Sequence, residues 1–187
     1  MNRGDGTLPL ISEIRDFNGF SQKVSRLGLQ KLVKKATITL TAFELLIAEE
    51  KHANGTKGLR QQIDHGFTEL GGWIKVASGG IDWTKQNRRR ATIGVEVQVS
   101  GRSDMLAVDI MHLKESLVSG EIDVGIIIVP DDTLSRYLTD RTPNLQTAVR
   151  HVLHRASDLP VRILAFRHNG IGDPLSKMRT NLGKQST

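Results

Sequence analysis

One run constrains the fold of this chain more than any other. Val124-Gly125-Ile126-Ile127-Ile128-Val129 carries no polar side chain and does not alternate. A strand with one face in water alternates apolar and polar residues, whereas a β-branched run without alternation reads as a strand covered on both faces. Covering both faces of a sheet takes helices. The run therefore predicts the centre of an α/β domain, with a central mixed β-sheet flanked by helices on both faces. It is far shorter than the roughly 18 apolar residues a membrane span needs.

A second strand raises a chemical question. In Thr92-Ile93-Gly94-Val95-Glu96-Val97-Gln98-Val99 the valines point one way, and Glu96 and Gln98 share the other face. Burying that pair without partners would cost roughly 2–7 kcal/mol for the amide and more for the carboxylate. A metal ion or a solvent-filled cleft would remove the cost. A half-exposed antiparallel strand with its polar face in water accounts for the pattern equally well. Upstream, Gly80-Ile81-Asp82-Trp83 reads as another short strand with a carboxylate, and two acids meeting at a strand pair suggest a divalent metal site.

Charge and composition narrow the partner. Lys and Arg number 26 against 20 Asp and Glu, giving a net charge of +6 and a pI near 9.8, a balance that favours a polyanion such as nucleic acid. An aromatic share of 4% offers no stacking platform for single strands. The chain has no cysteine, which excludes disulfides, thiolate zinc sites and cysteine nucleophiles and fits a reducing cytosol. With no signal-peptide pattern, a cytoplasmic location without membrane attachment is expected.

Periodicity supplies the other elements. Residues 1–10 read as a loose leader. Ser12 is placed to cap a helix with Glu13 in its first turn and Ile11, Ile14, Phe17 and Phe20 along its apolar stripe. Val24, Leu27, Leu29, Leu32 and Val33 continue helical spacing with a break at Gly28. Thr41-Ala42-Phe43-Glu44 fits a capping box opening a helix through about Ala53, and a further helix is expected over 57–69 before Gly71-Gly72. Short strands follow over 73–77, 81–84 and 92–99, the last two joined by a loop bearing Arg88, Arg89 and Arg90. A helix over 104–119 capped by Ser103, the buried strand, a helix over 145–156 and a strand over 161–166 complete the series.

Asp82 on one strand, Glu96-Val97-Gln98 on the next, then a helix and a buried strand resembles the nuclease core of type II restriction endonucleases. Their usual signature is Asp, a gap, then Glu-x-Lys. The Gln in the last position is similar to the small group typified by BglII and BstYI. The resemblance covers residues 79–130 well and 131–166 loosely, and does not reach the first seventy. With a length that fits one domain, the resemblance gives a single nuclease domain over 1–187, with a helical N-terminal part over 1–72, a catalytic core over 73–166 and a basic tail over 167–187. It further implies Mg²⁺ held by Asp82, Glu96 and the Val97 carbonyl, with Gln98 in a supporting role and Glu69 as the candidate upstream acid. The expected substrate is double-stranded DNA cut by a homodimer at a short palindrome, with GATC as a candidate core. Contacts to DNA are expected from Ser100 and Arg102 after the catalytic strand, from Arg141 after the central strand, and from Arg88, Arg89 and Arg90, which lengthen the gap between Asp82 and Glu96 relative to that group.

Other constellations carry less. His151 and His154 have a zinc-compatible spacing, but Arg150 and Arg155 flank them and no third ligand is evident. No Gly-Lys-Ser/Thr phosphate loop or Gly-x-Ser-x-Gly elbow occurs, so no nucleotide cofactor and no acyl-transfer serine are expected. Two rivals stay open: another nuclease on the same core, of the repair or junction-resolving kind, and a non-catalytic DNA-binding module. Cleavage of plain duplex at one repeated sequence separates the first, and dependence on Mg²⁺ beyond ordinary salt effects separates the second.

Overall fold

The structure, a computed structural model, describes residues 10–177 apart from 78–79, 100–101 and 140. A six-stranded sheet has the order β1-β7-β6-β5-β4-β3. Its strands are β1 (Leu10–Asp16), β3 (Ile74–Lys75), β4 (Trp83–Gln86), β5 (Thr92–Val97), β6 (Val124–Pro130) and β7 (Val161–Arg167). β5, β6 and β7 run parallel, while β1 joins β7, and β4 joins β5, antiparallel. The sheet is therefore mixed, and the run without alternation is an inner strand, β6, buried at every position.

Alternation along the inner strands divides the core in two. Val95, Val97, Ile126, Ile128, Leu164 and Phe166 face one layer. It includes α1 (Phe20–Leu27), α2 (Gln30–Leu40) and α3 (Thr56–His65). Ile127, Val129, Ile163 and Ala165 face the other, built on α4 (Ser103–Val118) and α6 (Leu145–Arg155). A short helix, α5 (Asp132–Tyr137), follows β6, inside a stretch whose sequence reads only as polar. Each parallel strand thus buries both sets of side chains, which is why β6 tolerates no polar residue.

Three sequence expectations are corrected. Residues 10–16 form strand β1, not a helix capped by Ser12. Ser12 falls where the β1–β7 register shifts, and its hydroxyl donates to the Ala165 carbonyl at 3.2 Å. Pairing along the free edge of β7 outweighs a weak local cap signal. Nor does Thr41 open a helix to Ala53. Thr41 ends α2, donating its hydroxyl back to the Thr37 and Ile38 carbonyls, and the chain continues through the two-residue strand β2 (Leu46–Ile47). The break at Gly28 is present, with φ of 69°. The helix expected over 57–69 is α3 prolonged by a π-helical turn, Gly66–Leu70. The position before α4 is occupied by Arg102 in extended conformation, not by Ser103, which is the first helical residue.

In place of the missing helix stands a hydrogen-bonded junction. Asn54 is fully buried. Its Oδ1 accepts from the Ala48 and Leu175 amides, each at 3.1 Å, and its Nδ2 donates to the Ala48 and Tyr137 carbonyls at 2.7 and 3.0 Å. All four of its bonding positions are used, which removes the penalty of burying an amide. The later chain forms β8 (Gly170–Ile171) parallel to β2 and then crosses the start of α3. Gly55 and Gly58 donate their amides to the Leu175 and Ser176 carbonyls at 2.9 and 3.1 Å. Those carbonyls do for α3 what a capping side chain does elsewhere. A Cβ on Gly55 would lie 2.0 Å from the Ser176 carbonyl oxygen, so no larger residue fits under this crossing.

At the far edge Asp16 ties β1 to β7. Arg162 donates Nε and Nη2 to its two carboxylate oxygens at 2.6 and 2.8 Å, and lies 4.6 Å from the centre of the Phe20 ring. Burial alone would raise the Asp16 carboxyl, but the hydrogen bonds from Arg162 and Ser21 and the Arg162 charge hold it below its ordinary value of 3.8. A depressed acid stabilises the fold above its unfolded pKa, and that contribution is lost as pH falls through the folded value. Asp16→Asn is therefore expected to cost about 1 kcal/mol at pH 7, the pair being partly open to solvent. The gap from wild type should close below about pH 4, as read by urea denaturation at both pH values.

Candidate active site

The polar pair on β5 is buried. Glu96 and Gln98 are 5% and 4% exposed, so the half-exposed reading of this strand does not hold. Their faces differ from those of Val95 and Val97, and they look toward α4. Gln98 continues the ladder past β5, its amide donating to the Ile128 carbonyl at 2.9 Å, and its side-chain Nε2 donates to Asp109 on α4.

Asp82 reaches the same place from the foot of β4. The Val97 amide donates to Asp82 Oδ2 at 2.8 Å, and the Asp82 amide donates to Glu96 Oε2 at 3.2 Å. This reciprocal pair fixes two carboxylates and the end of β5 relative to one another. The structure thus brings Asp82 against Glu96 and places Gln98 two residues further along the chain, bonded to Asp109. A cation lies across them. Arg60 on α3 donates Nη2 to Asp82 Oδ1, Nη1 to the Val97 carbonyl at 2.9 Å and Nε to Asp64 at 2.8 Å. Lys75 holds the second oxygen of Asp64 at 2.9 Å.

Electrostatics follow from burial and from crowded acids. Loss of hydration, then repulsion from Asp82 and Asp109, pushes the Glu96 carboxyl up to about 10, against a smaller opposing effect of Arg60. Burial likewise raises Asp109 to about 6, opposed by its bond from Gln98. For Arg60, burial works against the charge, but Asp82 and Asp64 outweigh it and raise its pKa. With its pKa raised that far, Glu96 holds its proton at neutral pH when no metal is bound, so the site gathers carboxyl oxygens without a full charge on each.

That excess of buried oxygen suits a hard divalent ion. Among the described residues no group of three His, Cys, Asp or Glu side chains could hold a metal, so an ion here would draw on main-chain oxygen as well. Asp82, Glu96 and the Val97 carbonyl could supply such a mixed set, the oxygen chemistry that Mg²⁺ takes. Arg60 already shows that Asp82 and the Val97 carbonyl jointly attract positive charge.

The remaining expected residues lie in several places. Glu69 is exposed on the π-helical turn, and the upstream acid that is bonded into the cluster is Asp64. Arg88, Arg89 and Arg90 sit at the β4–β5 hairpin tip, at the opposite end of β5 from Glu96, about 15–20 Å away by strand length. There the Asn87 side chain bonds the Leu27 carbonyl at 2.9 Å and so docks the tip on the end of α1. Ser100 lies outside the described residues. Arg102 and Arg141 are exposed and follow the carboxyl ends of β5 and β6, and Arg102 pairs with Asp104 at 2.6 Å. His151 Nδ1 takes a hydrogen bond from Arg155 at 2.9 Å. Sequence reasoning missed Arg60, Asp64 and Asp109. The first two were detectable as a helical i,i+4 ion pair on α3, whereas nothing local distinguishes Asp109 from a surface acid.

A mixed sheet with two acids and an amide at the carboxyl end of an inner strand defines a class of protein, the nucleases with the restriction-endonuclease core. The family model described as restriction endonuclease BamHI matches residues 20–166, and the chain belongs to that family. It is a site-specific deoxyribonuclease of the type II kind. Among solved structures it is similar to restriction endonuclease BglII complexed with a DNA 16-mer, at a TM-score of 0.62 and 18% identity over 86% of this chain and 76% of that one. It is also similar to free BglII, at a TM-score of 0.52 and 15% identity over 90% and 81%. No curated protein sequence matches the chain. Among the described residues no helix is long and apolar enough to cross a membrane.

The crowded acids generate a test of the site as built. Glu96→Gln removes a buried carboxyl facing Asp82 and Asp109 while keeping an oxygen for the Asp82 amide. Without divalent ions at pH 7 it is expected to raise stability, on the order of 1–3 kcal/mol, measured by thermal melting in chelator. The gain arises because folding at pH 7 must put a proton on Glu96, which Gln does not need; a melting temperature lowered by several degrees would mean that Glu96 is ionised and held by positive charge.

Proposed function

We propose that this chain is a Mg²⁺-dependent restriction endonuclease that cuts duplex DNA as a homodimer at a short palindrome, with GATC as the candidate core. The observation that carries the metal is the convergence of Asp82, Glu96 and the Val97 carbonyl, all oxygen donors, at one strand end. A divalent ion bound there supplies charge against that building on the phosphoryl oxygens and makes water a better nucleophile. Asp82 and Glu96 hold the ion. Gln98 lacks a charge and a usable base, so with its amide fastened to Asp109 it positions groups near the ion and takes no proton.

Support for the substrate comes from the family, from the net charge, and from BglII, whose solved structure holds a DNA 16-mer. Ligands of open α/β sheets bind beyond the carboxyl ends of the strands, where Arg102 and Arg141 follow β5 and β6. We assign base reading to these two, with Ser100 beside Arg102 in the sequence, and leave to Arg88, Arg89 and Arg90, at the other end of β5, a backbone contact remote from the cutting site. Support for the homodimer comes from α4 and α6, which pack together on one side of the sheet. Their outer surfaces leave Val108, Met111, Val118 and Leu153 at 40–71% exposure, an apolar surface that a second copy would cover.

Incubation with long unmethylated duplex, with Mg²⁺ or with chelator, followed by sequencing of the ends, tests the proposal. Discrete Mg²⁺-dependent fragments sharing one palindrome are expected, and random nicking or a preference for branched DNA would overturn it. Glu96→Gln should lose on the order of 10²–10³-fold or more in cleavage rate, while sedimentation and DNA binding stay as in wild type. Arg102→Ala should lower discrimination between the cognate and a one-base-altered site by about 1–3 kcal/mol, with a smaller loss on random duplex. Equal losses on both would make Arg102 a phosphate contact.

A further inference from the structure

The guanidinium of Arg60 lies on the oxygens that the reading above gives to a metal. Nη2 is on Asp82, Nη1 is on the Val97 carbonyl, and Nε is anchored to Asp64 one helical turn further along α3. A guanidinium and a divalent cation compete for those oxygens: each oxygen has a second lone pair, but two positive charges held on the same atoms a few ångströms apart repel one another. We propose that Arg60 is an internal competitor for the cation site, seated on Asp82 and Val97 when no metal is bound and displaced from them when one enters. The inference rests on the assignment of Asp82, Glu96 and Val97 as the metal-holding set.

Three features separate a removable occupant from a purely structural ion pair. The Arg60 side chain is 31% exposed, so it has an open path to solvent along its own length. Its backbone does not have to move, because the start of α3 is capped by the Leu175 and Ser176 carbonyls, and only side-chain torsions need change. Finally, Asp64 lies at i+4 on the same helix and is itself gripped by Lys75. It keeps the displaced guanidinium near the cluster as a paired ion instead of leaving it unpartnered. The seated guanidinium also protects the fold in the absence of metal, since it satisfies a carboxylate and a carbonyl at the strand end that would otherwise face each other.

Displacement has a measurable cost, which the metal must meet. The site's apparent affinity is lowered by the ratio of seated to unseated Arg60, and removing the guanidinium restores the intrinsic value. The experiment is binding of Mn²⁺ to the full chain without DNA, followed by the electron paramagnetic resonance signal of the free ion, in wild type, Arg60→Gln, Arg60→Met, Asp82→Asn and the double variant Arg60→Gln/Asp82→Asn. Thermal melting checks that each variant is folded, and the two Arg60 variants insure against one of them misfolding. Both should bind Mn²⁺ about tenfold or more tightly than wild type, and Asp82→Asn should erase that gain in the double variant.

Unchanged or weaker binding in the folded Arg60 variants, with binding still lost in Asp82→Asn, would overturn the competitor role and leave the metal site standing. Binding that is indifferent to Asp82→Asn would overturn the metal assignment itself, and the inference with it.

Discussion

Everything distinctive about this protein depends on placing a carboxylate inside a sheet. Glu96 stands on an inner strand, hydrogen-bonded on either side by β4 and β6, with α4 above it. A buried carboxyl there is a standing cost, which the fold does not relieve by a dedicated neutralising partner. Two further acids are brought close to it, and the guanidinium of Arg60 reaches Asp82 and a main-chain oxygen, not Glu96 itself, among the described residues. Stability is thereby given up to create an attraction for positive charge at one defined point. Such a trade is common where structure serves chemistry.

The architecture around that point is arranged to hold it still. The Val97 amide grips Asp82 and the Asp82 amide grips Glu96, so the two strands lock each other through the same acids that carry the chemistry. The parallel trio β5, β6 and β7 is dry on both faces, and its register cannot slip without exposing a whole set of side chains. Arg102 and Arg141, by contrast, lie exposed outside the strands. Acids held within the sheet and recognition side chains carried on the connections is the division of labour expected of a scaffold with functional loops.

How much of this could be read in the amino-acid order depended on whether the signal was local. β5, β6 and β7 announce themselves by β-branched runs, and the Asp82, Glu96 and Gln98 set lies within one short stretch whose alternation puts the polar pair on one face. The helix break at Gly28 was equally plain, because the left-handed conformation there is one that glycine adopts without strain. Ser12 misled because a capping pattern is a few residues long, while the pairing of β1 with β7 joins positions about 150 apart. Thr41 misled because a hydroxyl can end a helix as well as begin one. Arg60 shows in the sequence only as the i,i+4 partner of Asp64, and Asp109 does not show at all: the contacts of Arg60 with Asp82 and of Asp109 with Gln98 join separate elements that only the folded chain brings within bonding distance.

Strand order has a consequence for how the chain is made. β1 emerges from the ribosome early, yet its partner is β7, so the first strand must wait as an unpaired edge until nearly the whole sheet has been synthesised. Completion of the start of α3 waits longer still, for the carbonyls of Leu175 and Ser176. A protein with this topology cannot fold progressively behind its own synthesis and must assemble late and cooperatively. For a nuclease, that timing means that nascent chains carry an unfinished cutting centre.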